Sequence, residues 1–307
     1  MADADPDYRL SRNEAATEGI RRIALGRADS ALDNLRQAEA QGFAKSVHEA
    51  RKDLKKLRTV IRLVRSELGT DVYRRESERF GDAGRNLSAA RDAEVKLATF
   101  CALRERFGDD FPAEGAERFE AALVSERDAS AKQSEAGDSG ALAASIEQIE
   151  VGRREIEGWP LATDGWVLIE DGLTRAYGRG RNRFAAARSE PSAENLHEWR
   201  KRVKDLWHLQ RILCDAWPPV IKAAAGEAHE LSDLLGDHHD LAVLGSDAEE
   251  RGDLFAGPDD RDLFLDLVSL LSDELMEKAF ELGERLYAEK PKAFARRYRS
   301  LWRAWRD

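Results

Sequence analysis

"SVHEARKDLKKLRTVIRLVR" (residues 46–65) and "NLHEWRKRVKDLWHLQRIL" (residues 195–213) are one helix written twice in the same chain. With the second copy shifted by 149 positions, seven of the sixteen residues from Val47 to Arg62 recur. His48, Glu49, Arg51, Lys52, Lys55, Leu57 and Arg62 return as His197, Glu198, Arg200, Lys201, Lys204, Leu206 and Arg211. At about 100° per residue, Ala50, Leu54, Leu57, Val60, Ile61 and Val64 gather on one arc, which predicts a core face. His48, Arg51, Lys52, Lys55, Thr59 and Arg62 gather opposite. The second copy turns Trp199, Val203, Leu206, Leu209 and Leu213 inward and presents His197, Arg200, Lys201, Lys204, His208 and Arg211 on its other side. An ordinary exposed face mixes signs, because Glu and Lys four apart stabilise a helix by about 0.2–0.5 kcal/mol and like charges cost as much. Here cations are stacked in both copies, and six matched residues lie outside the core face. That pattern predicts an anion-binding surface.

The duplication extends outward from this helix. "LSAARDAEV" ends at Val95 and "LLGDHHDLAV" at Val243, each with an aspartate, Asp92 or Asp240, three residues before the valine. "GIRRIALGR" from Gly19 and "GLTRAYGRGR" from Gly172 precede the two basic helices. A repeat this long exceeds any solenoid unit. It predicts two related helical bundles around a pseudo-twofold axis, residues 1–155 and 156–307, joined between about 134 and 163. Apolar residues keep helical spacing throughout, with helices expected at 10–40, 46–67, 71–106, 114–133, 141–157, 164–189, 195–214, 219–250, 260–288 and 291–306. No alternating run reads as a strand, so the fold class is all-α.

Composition narrows the function. The 307 residues carry a net charge of −10, with 35% charged and 42% hydrophobic residues. That balance argues against a general nucleic-acid binder. It permits a local basic cavity, because salt screens charges beyond about 8–10 Å. No apolar run reaches the roughly 18 residues of a membrane span, and "MADADPDYRL" lacks the features of a signal peptide. A cytoplasmic location is expected, with Cys101 and Cys214 as free, buried thiols.

Other chemistries fit less well. Ser46 with Glu49, and Asn195 with Glu198, read as helix-start caps, which would place His48 and His197 in the first turn beside free backbone amides. "HE" begins the zinc-protease motif, but Lys52 and Lys201 occupy the positions of its second histidine. His229, Asp233, Asp237 and His238 have partial metal-ligand spacing with no counterpart in the first half. Asp92 and Asp240 read as holders of basic side chains. No phosphate-binding glycine loop occurs, and neither a catalytic residue, a metal nor a cofactor is expected.

The paired H-E-x-R-K-x-x-K-x-L helices, the paired RD/HD segments and the arginine-rich stretches before each copy resemble the CHAD family, over nearly the whole chain. The resemblance implies two pseudo-symmetric four-helix bundles whose basic helices line a central cavity that binds inorganic polyphosphate. It also implies association with polyphosphate or polyhydroxyalkanoate granules. Matching positions would be His48, Arg51, Lys52, Lys55 and Arg62, with His197, Arg200, Lys201, Lys204 and Arg211; His208, on the same basic face, is expected to bind beside them. Arg22 and Arg175 from the preceding helices join them, as do Arg27, Arg179 and Arg181. The halves differ where His208 faces Thr59, Trp207 faces Arg58 and His239 faces Arg91. No strand-rich segment supplies the triphosphate-hydrolysing domain that some relatives carry. The expectation is a binding module with neither membrane nor specific nucleic acid as partner. The rival is a metal-dependent phosphohydrolase of phosphate polyanions using Asp92 or Asp240.

Overall fold

Helical spacing of apolar residues becomes helix almost everywhere. The computed structural model describes residues 6–87, 92–136 and 139–306, and no strand occurs among them. The elements are α1 (Ala16–Arg36), a short α2 (Ala38–Gln41), α3 (Phe43–Leu63), α4 (Arg65–Asn86), α5 (Asp92–Phe107), α6 (Glu117–Ala136) and α7 (Ser139–Ile156). They continue as α8 (Trp166–Ser189), α9 (Ala193–Ile212), α10 (Pro218–Glu250), α11 (Pro258–Leu286) and α12 (Pro291–Arg306). Among the described residues, no helix is long and apolar enough to cross a membrane.

Contacts divide the chain into two compact units. The first holds Met1–Ser88, Gly137–Glu230 and Glu284–Asp307; the second holds Ala89–Ala136 and Leu231–Gly283. Each unit therefore draws on both sequence halves. In the first, α1 packs on α3, α3 on α4, α4 on α7 and α7 back on α1, a closed ring of four helices. There, α8 lies along α9 and α12, and α3 touches both α8 and α9. The arc from Ala50 to Val64 is buried as its spacing predicts, and so are Trp199, Val203, Leu206, Leu209 and Leu213. Each such large side chain contributes about 1.5–3 kcal/mol by leaving water. The second unit is built on phenylalanines: Phe119 stacks 5.1 Å from Phe255, and Phe100 stacks 5.8 Å from Phe264. Cys101 is half-buried, Cys214 is buried, and both are free thiols.

Several expected boundaries move. The helix expected from residue 10 starts at Ala16, because the segment before it is held by side chains of other helices. The helix expected over 71–106 is two, α4 and α5. Within α4, Gly69 takes φ 73°, a left-handed conformation that glycine adopts without a Cβ penalty, and the helix breaks there. The expected caps are also corrected. Gly42 precedes α3, so Ser46 lies inside the helix and is buried. Ser192 caps α9 by accepting from the Asn195 N–H at 3.3 Å. His48 and His197 thus stand in the second turn, past the free amides of the helix start.

Candidate anion-binding site

The two basic helices meet inside the first unit, because each has a second buried side beyond its apolar arc. Asp205 of α9 joins them. Its Oδ1 accepts from Arg62 Nη1 of α3 at 2.8 Å, and its Oδ2 pairs with Arg202 Nη1 at 2.9 Å. A small, partly open crevice of about 20 Å³ lies here, lined by Thr59 and Arg62 of α3, Arg65 and Tyr73 of α4, Gly172, Arg175, Ala176 and Arg179 of α8, and Arg202, Asp205 and Leu209 of α9. Five guanidiniums thus face one lining carboxylate. Arg175 has a further partner outside the crevice, Asp171, at 2.6 Å. The Arg65 guanidinium sits 4.5 Å above the Tyr73 ring.

The excess positive charge acts on the arginines themselves. Desolvation first, then the charges of Arg202, Arg65 and Arg175, lower the pKa of Arg179 from its usual value against the opposing effect of Tyr73. Arg58 is lowered by burial, then by Arg62 and Arg85, with Asp205 opposing. Nε of Arg58 and Nε of Arg202 are buried without a hydrogen-bond partner. A phosphate oxygen is the natural complement to such a cluster, since charge-assisted bonds to guanidinium are among the strongest a protein makes.

The predicted site residues divide by place. Arg62, Arg175 and Arg179 come together in the crevice, where Arg65, Arg202 and Tyr73 join them without having been singled out. A signal for Arg65 existed: Arg58, Arg62 and Arg65 follow at spacings of four and three, one side of a helix. His208 and Arg211 are buried at 8% exposure, together with Thr59 at 1% and Lys56 at 6%. The C-terminal part of the stripe is therefore interior. Lys52 pairs with Glu49 at 2.9 Å and Lys201 with Glu198 at 2.7 Å, the same bridge in both copies. These glutamates serve as ion-pair partners, not caps; such exposed bridges contribute about 0–1 kcal/mol and exchange readily. His48, Arg51, Arg200 and Lys204 are half-buried, and Lys55 and His197 are exposed. Arg51 Nη1 reaches the carbonyl of Leu87 at 3.4 Å. None of these six lines the crevice.

Two expected arginines have other partners. Arg22 binds both oxygens of Glu14 and the carbonyls of Asp7 and Arg9. Arg27 is buried and pairs with Asp53 at 3.1 Å. Both line a second, wider cleft of about 430 Å³ whose walls carry Asp7, Asp29 and Asp33, so its sign does not suit a polyanion. Arg181 is exposed. Asp240 makes no ion pair among the described residues, and the side chain of Asp92 lies outside them. No group of three or more His, Cys, Asp or Glu side chains among the described residues is placed to hold a metal ion. His229 instead packs tilted against Trp207, 4.1 Å between ring centres.

The repeat positions carry a charge swap. Asp53 and Lys56 of α3 correspond to Arg202 and Asp205 of α9, so the i,i+3 ion pair is reversed between copies. Thr59 corresponds to His208, which stacks on Trp207 at 4.5 Å and meets Tyr8 edge-on at 6.2 Å. Burial, followed by the charges of Arg211, Lys56, Lys204 and Lys55, holds its pKa well below the usual histidine value. The unfolded chain protonates this imidazole near pH 6.5, and the folded chain does so only at lower pH. Stability from this group is therefore complete above about pH 6.5 and falls as pH drops below it, by at most about 1.4 kcal/mol per pH unit. We expect chemical denaturation at about pH 7.5 and pH 5.5 to show this loss, and His208→Gln to reduce it. Equal pH dependence in both proteins would assign the loss elsewhere.

Comparison with known proteins identifies the family and the fold. A family model described as the CHAD domain matches residues 26–246. The crystal structure of the CHAD domain from the plant Ricinus communis is similar over 95% of this chain and 94% of that one, with a TM-score of 0.60 at 17% identity. No curated protein matches. With the family model spanning more than two thirds of its length and the plant domain sharing its fold, the chain belongs to the CHAD domain family.

Proposed function

We propose that this protein binds inorganic polyphosphate, in a basic site formed where the duplicated helices α3 and α9 meet, and that it acts as a binding module without turnover. The halves on either side are read as two pseudo-symmetric helical bundles, and the site as the basic centre between them. The observation that carries the reading is the crevice, where five arginines from four helices face one aspartate. Such a site suits a ligand with one negative charge per unit and no base edges. Low-dielectric walls focus the local field, so a net charge of −10 does not oppose binding. Nucleic acid is a poorer fit. Single strands need open aromatic platforms, and one face of the crevice's tyrosine is occupied by Arg65. Attachment to polyphosphate or polyhydroxyalkanoate granules is the cellular role this reading suggests, with the protein in the cytoplasm.

The test is direct titration with polyphosphate of defined lengths, with RNA and DNA as competitors. We expect saturable binding that neither nucleic acid displaces at equal phosphate concentration. Incubation with Mg²⁺ or Mn²⁺ should release no orthophosphate. Metal-dependent release lost on replacing Asp240 would instead establish the phosphohydrolase.

A further inference from the structure

The crevice is small for a polymer. Its volume of about 20 Å³ exceeds the roughly 10–15 Å³ that one water needs by less than a second water. It has room for one compact polar group. Three of the seams between its helices are closed. Gly172 of α8 lies against the backbone of Leu63 at the end of α3, too close for even a Cβ. Asp205 ties α9 to α3 through Arg62 at 2.8 Å, and α8 packs along α9. The remaining side carries Arg65 and Tyr73 of α4, both half-buried, and the exposed Arg179 of α8.

The uncommitted donors stand on that side. Arg62 and Arg202 share Asp205, and Arg175 is drawn out to Asp171. Among the described residues, Arg179 pairs with no carboxylate and the Tyr73 hydroxyl has no hydrogen-bond partner. Arg65 meets only the Tyr73 ring, 4.5 Å from its centre. Burial, then the charges of Arg202, Arg65 and Arg175, bear on Arg179, so the positive charge here is not neutralised.

Two guanidiniums and one phenol therefore offer hydrogen bonds at the open side. A phosphate inside a chain presents two free oxygens and one negative charge. A phosphate at a chain end presents three free oxygens and, like a phosphate monoester, about 1.5–2 negative charges at pH 7. A chain interior also needs two openings, one to enter and one to leave. An end needs one.

We propose that the crevice takes the terminal phosphate of a polyphosphate chain, read by Arg65, Arg179 and the Tyr73 hydroxyl. This rests on the polyphosphate reading above and names the part of the chain that is bound. The rest of the chain stays outside the crevice.

The experiment titrates the full-length protein with long-chain polyphosphate and with the same chain blocked at both ends as phosphoramidates. Blocking leaves the interior unchanged and gives each end one negative charge and two free oxygens in place of three. We expect it to weaken binding about tenfold or more, the loss of one charge-assisted hydrogen bond. Tyr73→Phe keeps the ring beneath Arg65 and removes only the hydroxyl. It should weaken the open-ended chain several-fold and leave the blocked chain unchanged. Equal affinity of the wild-type protein for open and blocked chains overturns end recognition and leaves the polyphosphate reading standing. An equal loss on both chains in Tyr73→Phe overturns the part assigned to its hydroxyl. No binding of either chain by the folded protein overturns both readings.

Discussion

Reversing two guanidiniums of the crevice, in Arg65→Glu/Arg179→Glu, should lower polyphosphate affinity by about a hundredfold or more while leaving the helices intact. Each residue stands to make a charge-assisted hydrogen bond of about 1.5–3 kcal/mol to a phosphate. Losing two such bonds is a factor of about 10²–10⁴, since about 1.4 kcal/mol is tenfold, and the new carboxylates add repulsion. These two arginines are chosen because neither pairs with Asp205. Arg62 and Arg202 do, so replacing them would also cut the link between α3 and α9. Arg179 is exposed and Arg65 half-buried over Tyr73, so the fold should tolerate both changes. The variant should also flatten the salt dependence, because fewer phosphates are neutralised and fewer counterions released, a rule taken over from nucleic acids. The control is Lys292→Glu/Arg296→Glu on the exposed face of α12, an identical change in net charge outside the crevice. Titrations at several salt concentrations should leave this control within a few-fold of wild type. An equal fall in both double variants would mean that net charge, not the crevice, governs binding.

The core faces of α3 and α9 could be read from spacing alone, because a 3.6-residue period needs only one buried side to show itself. The other side was harder. A single helical wheel puts Thr59, His208 and Arg211 on an open cationic stripe, yet all three are buried, His208 and Arg211 against Tyr8 and Trp207. Nothing local to either basic helix announces what covers its far face. Arg22 and Arg27 show the same limit: equal in type to Arg175 and Arg179, they are taken up by Glu14 and Asp53, partners set by tertiary contact. Arg202 escaped notice because its repeat partner is an aspartate, and matching residue types passes over a reversed ion pair. The caps failed for a local reason. Ser46 and Asn195 have the right chemistry three residues before a glutamate, yet Gly42 and Ser192 start their helices earlier. The repeat in the sequence does not extend to this contact: Asp205 accepts from Arg62, whereas the corresponding residues, Lys56 and Arg211, are both cations.

Gly172→Ala should destabilise the protein by about 1–2 kcal/mol, although alanine is the better helix former. Gly172 is the point where α8 lies against the end of α3. A Cβ built there would stand 2.6 Å from the carbonyl carbon of Leu63 and 2.7 Å from its Cα. These are backbone atoms, so no rotamer change relieves the clash, and one helix must move. Overpacking of this kind costs about 1–3 kcal/mol and occasionally more, against a gain of about 0.8–1 kcal/mol from helix propensity. A net loss near the upper end lowers the melting temperature by about 3 °C in a chain of this size. The same displacement should weaken polyphosphate binding, because Gly172 lines the crevice and α8 carries Arg175 and Arg179 towards Arg62. Gly26 supplies the control. It lies in α1 with nothing within 4 Å of an added Cβ, so Gly26→Ala should be neutral or stabilising by up to about 1 kcal/mol. Thermal unfolding and polyphosphate titration of the two alanine variants separate steric contact from propensity. If Gly172→Ala melts with Gly26→Ala and binds like wild type, the spacing of α3 and α8 is not set at this glycine.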